Sequence, residues 1–439
     1  MAWSLIHAAW MHYLLAIFNA HDWTMKYVTT FSGEIFSLLN SIIYFHKAIQ
    51  ELQRAHDNLS FAAFLYAIIG AIGTFLAAVA LSTAESWAPV FHRYVRLGLS
   101  EYAAAISIIL FVGIPQIGEL AMLDRQNLQV STSFRPSSPD RTMFFVRFWD
   151  LSVGWIFAAM VPGLIVTVLF FFDHEISSII CTADRYRTKK PGGFAWDIVL
   201  LGTTTAICGI LGIPPANGLL PQAPLHSESL MHSAVKRVAS PSSKSDEPEG
   251  PTQTVMTRQV YEQRWSHLLH AGGILMFISP PFMRILGLTP TSVLAGLFLF
   301  MGEQSLAVNP ILFRFFDILT PRSELPALPD TIRGYRGIHI YTTVQIAVTI
   351  GIFLITLTKA APSFPIIIIA LVPIRLLLMK RWWPRDTLRF VDAWACRAGT
   401  PEDEEDARTR AIYCGSIDEV GGVMLANLRN ECRVVEEHV

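Results

Sequence analysis

Proline does not occur before Pro89, although the 439-residue chain holds 25 prolines. The opening stretch therefore contains no proline-broken membrane segment. Charge is also scarce. Asp, Glu, Lys and Arg make up 16% of the residues, against 52% hydrophobic. The formal net charge of -1 carries little information, because the charges lie in loops between apolar runs, and a nucleic-acid partner is not expected. The five cysteines, Cys181, Cys208, Cys396, Cys414 and Cys432, are far apart and show no C-x-x-C spacing. Such spacing predicts structural thiols and neither a metal site nor a disulfide framework. A Walker loop is missing, which argues against ATP-driven pumping, and so are H-E-x-x-H and G-x-S-x-G. No enzyme and no cofactor are expected, so any transport would be coupled to a gradient. No Lys or Arg precedes the first apolar run, which argues against an ordinary signal peptide at Met1.

What is present is a succession of apolar runs of about twenty residues, the length that crosses a hydrocarbon core. They lie at roughly Ala2 to Ala20, Val28 to Ile49, Phe61 to Ser82, Tyr102 to Leu123, Leu151 to Cys181 and Ala195 to Ile213. Others follow at Ser266 to Leu286, Thr291 to Val308, Ile338 to Leu357 and Phe364 to Leu378. The chain reads as an all-α polytopic membrane protein. Glu85 to Ser100 mixes aromatic and basic residues and suits an interfacial amphipathic helix, with a loop as the alternative. His232 to Arg264, rich in Ser, Pro and charge, reads as a disordered cytoplasmic loop. Its KRVASPSS around Ser240 is a weak phosphorylation pattern. Basic residues recur in alternate loops, which the positive-inside rule assigns to the cytoplasm together with the C-terminus. Counting back puts the N-terminus outside, an arrangement that leads us to expect further sequence ahead of Met1.

The stretch Ile213 to Leu230, IPPANGLLPQAPLHSESL, fits no ordinary spanning helix. Pro214-Pro215, Pro221 and Pro224 interrupt it, with Asn217-Gly218 between. At membrane depth such a segment survives only when it is buried in protein or lines a polar cavity. One reading is a transporter half-helix whose N-terminal N–H groups favour an anion. The other is a Pro-rich loop outside the membrane.

Asp173 lies within the long fifth run. An ionisable residue there faces a cavity or a partner, unless it is solvated at the cytoplasmic edge. At about 1.5 Å per residue the thirty-residue run exceeds a core of about 30 Å, so Asp173 need not sit at an edge. His174 and Glu175 fall on other faces and read as boundary residues. Asn217, Gly218 and Gln222 offer neutral hydrogen-bonding groups suited to a small polyhydroxylated acid or anion. His226 and Glu228 are possible accessory groups towards the cytoplasmic end. Glu34 and Glu303 read as structurally paired or edge residues.

Several motifs resemble the borate transporters, the plant and fungal branch of the bicarbonate/anion-exchanger family. They include FFDHEISS from Phe171, GGFAWDIVLLG from Gly192 and CGILGIPPANGLLPQAPLHSESL from Cys208. FSGEIFSLL from Phe31, EQRWSHLL from Glu262, LTPTSVLAGLFLFMG from Leu288, LVPIRLLL from Leu371 and LRFVDA from Leu388 support them. Anion exchangers of bicarbonate and chloride carry a basic residue where this chain has Gln222, which favours borate.

The resemblance implies an inverted-repeat, anion-exchanger/nucleobase-transporter-like fold, with a core domain that moves against a gate that also dimerises. The family has fourteen spans and about eleven are expected here, including the broken half-helix; the first three are missing, and with them a partner half-helix. The implied division is a core remnant at 1-23 and gate spans at 24-123 with an interfacial helix at 85-100. Core follows at 148-231, with the half-helix at 213-226, then the disordered loop at 232-263. The remainder divides into core at 264-287, gate at 288-380 and a cytoplasmic tail at 381-439. Asp173, Asn217, Gly218 and Gln222 take the substrate positions. The expected function is export of borate or boric acid by alternating access, from a homodimer in the lipid bilayer, at the plasma or vacuolar membrane. The alternatives are exchange of bicarbonate or another inorganic anion, and a transport-inactive chain that pairs with a full-length relative.

Overall fold

The computed structural model describes residues 1–131, 136, 141, 143–181, 186–190, 192–217, 222–238, 253–332, 334–394 and 401. The expected apolar runs are helical, except that the run from Tyr102 to Leu123 is α-helical only to Gly113 and ends in short 3-10 turns. The N-terminal third holds α1 (Ala2–Ile17), α2 (Ala20–Met25), α3 (Thr30–Asn58), α4 (Phe61–Ser82), α5 (Arg93–Glu101) and α6 (Ala103–Gly113). Next come α7 (Val153–Ala158), α8 (Met160–Cys181), α9 (Phe194–Leu211) and α10 (Gln222–Ser229). The C-terminal part holds α11 (Trp265–Met276), α12 (Pro280–Leu286), α13 (Thr291–Ala307), α14 (Pro310–Leu319) and α15 (Arg336–Thr356). It ends with α16 (Phe364–Ile374), α17 (Lys380–Trp382) and α18 (Arg385–Val391).

Four of these helical stretches are long and apolar enough to cross a membrane: Phe61–Ser82, Val153–Ser178, Phe194–Leu211 and Arg336–Thr356. Three bent pairs reach that length together, so the described residues supply up to seven such spans where about eleven were expected. The shortfall has local causes. Helix α1 has only 16 residues, and the second half of α3 is polar (KAIQELQRAHDN). Two of the pairs already counted as spans bend at proline: Ser279-Pro280 turns α11 into α12 by 91°, and Asn309-Pro310 turns α13 into α14 by 70°. Pro at the first helical position starts a new helix in each case, because it has no N–H to continue the old one. In α16, Pro373 is followed by a π-turn at Arg375–Met379, which accommodates the lost bond.

The surface of α4 is that of a lipid-facing helix. Leu65, Ile69, Ile72 and Leu76 form an exposed stripe at spacings of four, three and four, while Ala63, Ala67, Gly70, Ala71, Thr74 and Ala78 face inward. Small residues let backbones approach closely, as membrane helix packing requires. A Cβ on Gly296 of α13 would lie 2.5 Å from the Ala71 carbonyl oxygen and 2.6 Å from Thr74 Cβ.

Two groups of helices result. In one, α1 packs along both α8 and α9. In the other, α13 packs on α3 and α4, α15 packs on α3 and α14, and α6 packs on α4. Phe36 of α3 meets Phe172 of α8 edge to face, with ring centroids 5.8 Å apart, and α16 touches both groups. The largest apolar cluster runs through this junction and includes Phe31, Ile35, Leu39, Phe172, Ile176, Tyr341, Ile368 and Leu371.

Asp392, just past α18, closes the start of α3. Its Oδ1 accepts from the Phe31 backbone N–H (2.8 Å) and the Thr30 hydroxyl (3.1 Å), and its other oxygen pairs with Arg375. Asp392 is therefore the anionic cap that the N-terminus of α3 lacks locally.

Two expectations about local structure change. The interfacial helix starts at Arg93 instead of Glu85, because His92 caps the Tyr94 N–H and a 3-10 turn occupies Ala84–Ser86. The segment read as disordered contains an antiparallel pair, β1 (Met231–Val238) with β2 (Gln253–Val260), in the register Met231↔Val260 to Val238↔Gln253. Each strand holds two Val, and β2 adds two Thr (MHSAVKRV and QTVMTRQV), which favours strand geometry over the polar composition of the whole segment. Ser240 and the tail from 402 lie outside the described residues.

Candidate functional site

The site forms where the broken segment returns to α8. Helix α10 begins at Gln222 and ends at Ser229, a later position than the expected 213-226. The reason lies in the prolines. Pro214-Pro215 hold the chain extended from Ile213 to Asn217, whereas Pro224 falls in the first turn of α10, where its missing N–H costs nothing. Asn217 thus sits in the extended lead-in and not on the helix, and α10 itself packs against α8.

The Asn217 side-chain amide spans one turn of α8. Its Nδ2 donates to the Phe170 carbonyl oxygen (3.0 Å) and to Asp173 Oδ2 (3.3 Å). Both Asn217 and Asp173 are half-buried. Two of the four expected substrate residues are therefore brought together. Gly218 lies outside the described residues, as does the side chain of Gln222. The arrangement sets a carboxylate and an amide side by side near a short helix, groups that can hydrogen-bond a small polar molecule.

His226 serves a different contact. Its Nε2 lies 3.1 Å from the Ser266 hydroxyl, and its ring meets that of His267 at 5.1 Å, so it ties α10 to the start of α11. The Glu228 side chain is outside the described residues. Glu34 is structurally paired: it bonds Arg314, and Gln345 Nε2 donates to its Oε2 at 2.9 Å. Glu303 accepts from the neighbouring Gln304 amide at 2.7 Å.

Glu175 is not a boundary residue. It is 3% exposed and bonded to Nδ1 of His21, whose ring stacks on Phe194 with centroids 3.7 Å apart. A carboxylate two residues from Asp173 points about 200° away around the helix, so the sequence could separate the two faces. It could not reveal that α2 folds back to cover the second one.

Stacked helices with lipid-facing apolar stripes, prolines at the breaks and one polar cluster beside a broken segment define a polytopic helical membrane transporter. Comparison with known proteins agrees. Residues 54–395 match the family described as the HCO3- transporter integral membrane domain. A protein of Schizosaccharomyces pombe is 34% identical over 397 residues, covering 89% of this chain and 73% of its own length. Boron transporter 1 of Saccharomyces cerevisiae is 31% identical over 382 residues, covering 84% of this chain. Anion exchange protein 3 of Danio rerio is 26% identical over 436 residues, covering 91% of this chain and 35% of its own length. The chain spans 61% of the length of the Saccharomyces relative. It belongs to the bicarbonate transporter family, on the branch that holds the boron transporters. The family is one of integral membrane transporters of small inorganic anions, and not of enzymes.

Proposed function

We propose that this chain exports borate or boric acid across the plasma membrane by alternating access. The observation that carries this reading is the Asn217 amide held against Asp173, which sets a neutral donor and a carboxylate side by side at a proline-broken segment. Boric acid is neutral and borate a monoanion spread over four hydroxyls, so both call for paired donors and acceptors around those hydroxyls. The name and similarity of Boron transporter 1 support the same substrate. In this reading Asp173 and Asn217 contact substrate from one side, with Gly218 and Gln222 completing that side.

The moving body is the α1, α8, α9 and α10 group with α11 and α12. The stationary gate comprises α3, α4, α6 and α13 to α16, through which two copies dimerise with their C-termini in the cytoplasm. Anion exchange protein 3 supports a second reading, exchange of bicarbonate or a related inorganic anion. Expression in boron-loaded cells separates the two. Faster boron efflux, with unchanged bicarbonate-dependent recovery of internal pH, is expected. Bicarbonate-dependent recovery without boron efflux overturns borate in favour of the second reading. If neither flux appears while a co-expressed full-length relative slows, the chain acts as an inactive dimer partner.

A further inference from the structure

Asp173, Asn217 and α10 all stand on the α8 side of the boundary between the two helix groups. Across that boundary, Phe36 of α3 meets Phe172, the residue before Asp173. Asn40 and Tyr44 follow Phe36 at intervals of four residues, so this ridge of α3 starts apolar and turns polar further along. Tyr44 comes within electrostatic reach of the Asp173 carboxylate. Its half-buried ring stacks on Phe298 of α13, with centroids 6.3 Å apart, which fixes the side chain from behind.

The polar ends of this pair are open. Asn217 engages Oδ2 of Asp173, while Oδ1 and the Tyr44 hydroxyl form no hydrogen bond among the described residues. The Tyr341 hydroxyl, by contrast, is sealed in the interior without a partner, and neither of these two oxygens is sealed in that way. Their chemistry is complementary. A carboxylate oxygen only accepts, whereas a phenol hydroxyl both gives and accepts. A hydroxyl on boron also does both, so one small acid can give a hydrogen bond to Asp173 and accept one from Tyr44.

We infer that Tyr44 is the facing contact of the substrate site, its hydroxyl pairing with a hydroxyl of the boric acid or borate held by Asp173 and Asn217. The inference rests on the borate reading and adds a residue from the opposite helix group to it. Tyr44 then sets affinity for substrate, and binding is tightest in the state that brings both groups against the site.

The test uses the full chain in proteoliposomes, with boron flux measured against boric acid concentration. Tyr44→Phe removes the hydroxyl and keeps the ring on Phe298, so the melting temperature should not change. The half-saturating concentration is expected to rise about fivefold while the maximal rate stays within about twofold, the pattern of lost binding without lost structure. In a chain with its five cysteines replaced by serine, Tyr44→Cys should react with a small water-soluble methanethiosulfonate, and boric acid should slow that reaction. Boron flux with an unchanged half-saturating concentration in Tyr44→Phe overturns the role of Tyr44 and leaves the borate reading standing. A wild-type chain that carries no boron overturns both. Labelling of Tyr44→Cys that boric acid does not slow also overturns the contact, and it decides the matter if Tyr44→Phe does not fold.

Discussion

Asn217→Ala removes both the donor to Asp173 and the bond to the Phe170 carbonyl. A hydrogen bond to a charged group contributes about 1.5–3 kcal/mol, so a roughly tenfold or greater loss of boron efflux is expected. The measurement is efflux normalised to protein in the membrane. Asp173→Asn should lose at least as much at normal abundance. Asp392 and Arg375 are of another kind, since they touch no site and are 1% exposed each. Arg375→Met leaves the Asp392 carboxylate buried without its cation, which costs about 3–5 kcal/mol. A large fall in melting temperature and in yield is expected, whereas Arg54→Met, at a side chain that is itself mostly exposed, should change neither. Asp173 stands out in the sequence because an acid inside an apolar run violates the membrane pattern, whereas its hydrogen bond to Asn217 leaves no trace there. The His21 partner of Glu175 does not stand out, because nothing in HDWTM signals that the segment folds inward.

Among the helices, the close approach of α13 to α4 sets the sharpest constraint. Gly296→Val places its branches where the Ala71 carbonyl and Thr74 already stand, and overpacking of this kind costs about 1–3 kcal/mol. A lower melting temperature is expected, while Gly33→Ala, with nothing near its added carbon, should melt like the parent chain. Helix positions followed from hydropathy almost throughout, and Phe61 to Ser82 was located to the residue. The bends at Ser279-Pro280 and Asn309-Pro310 were missed for a physical reason. Hydropathy averaged over a run measures transfer into lipid and is insensitive to direction, whereas Pro decides where an axis turns. The start of α10 was misplaced for the same reason, since Pro214-Pro215 enforce extension before the helix begins. The β1–β2 pair was hidden by Ser- and Pro-rich residues between its strands.

At the scale of the whole molecule, alternating access requires the α1, α8 and α9 group to move against the α3 and α13 group. Phe36 and Phe172 sit on opposite sides of that boundary. In a chain with its five cysteines replaced by serine, Phe36→Cys with Phe172→Cys should be joined by a short thiol-cleavable bifunctional reagent. Joining is expected to arrest boron efflux by more than about 90%, with recovery on reduction. Continued flux in the joined protein would rule out this boundary as the moving one. The two-group architecture itself was implied by family resemblance and not by residue physics, because pairing between distant helices leaves little trace in one sequence.

The clasp formed by Asp392 has a consequence for biosynthesis. The carboxylate that completes α3 is made some 360 residues later than the Thr30 and Phe31 groups it binds (sequence separations of 362 and 361). At about 5–20 residues per second, the start of that helix waits tens of seconds for its anion. Throughout that interval a nascent chain displays an open helix end. A chain that stops short of Asp392 leaves that helix end without its anion.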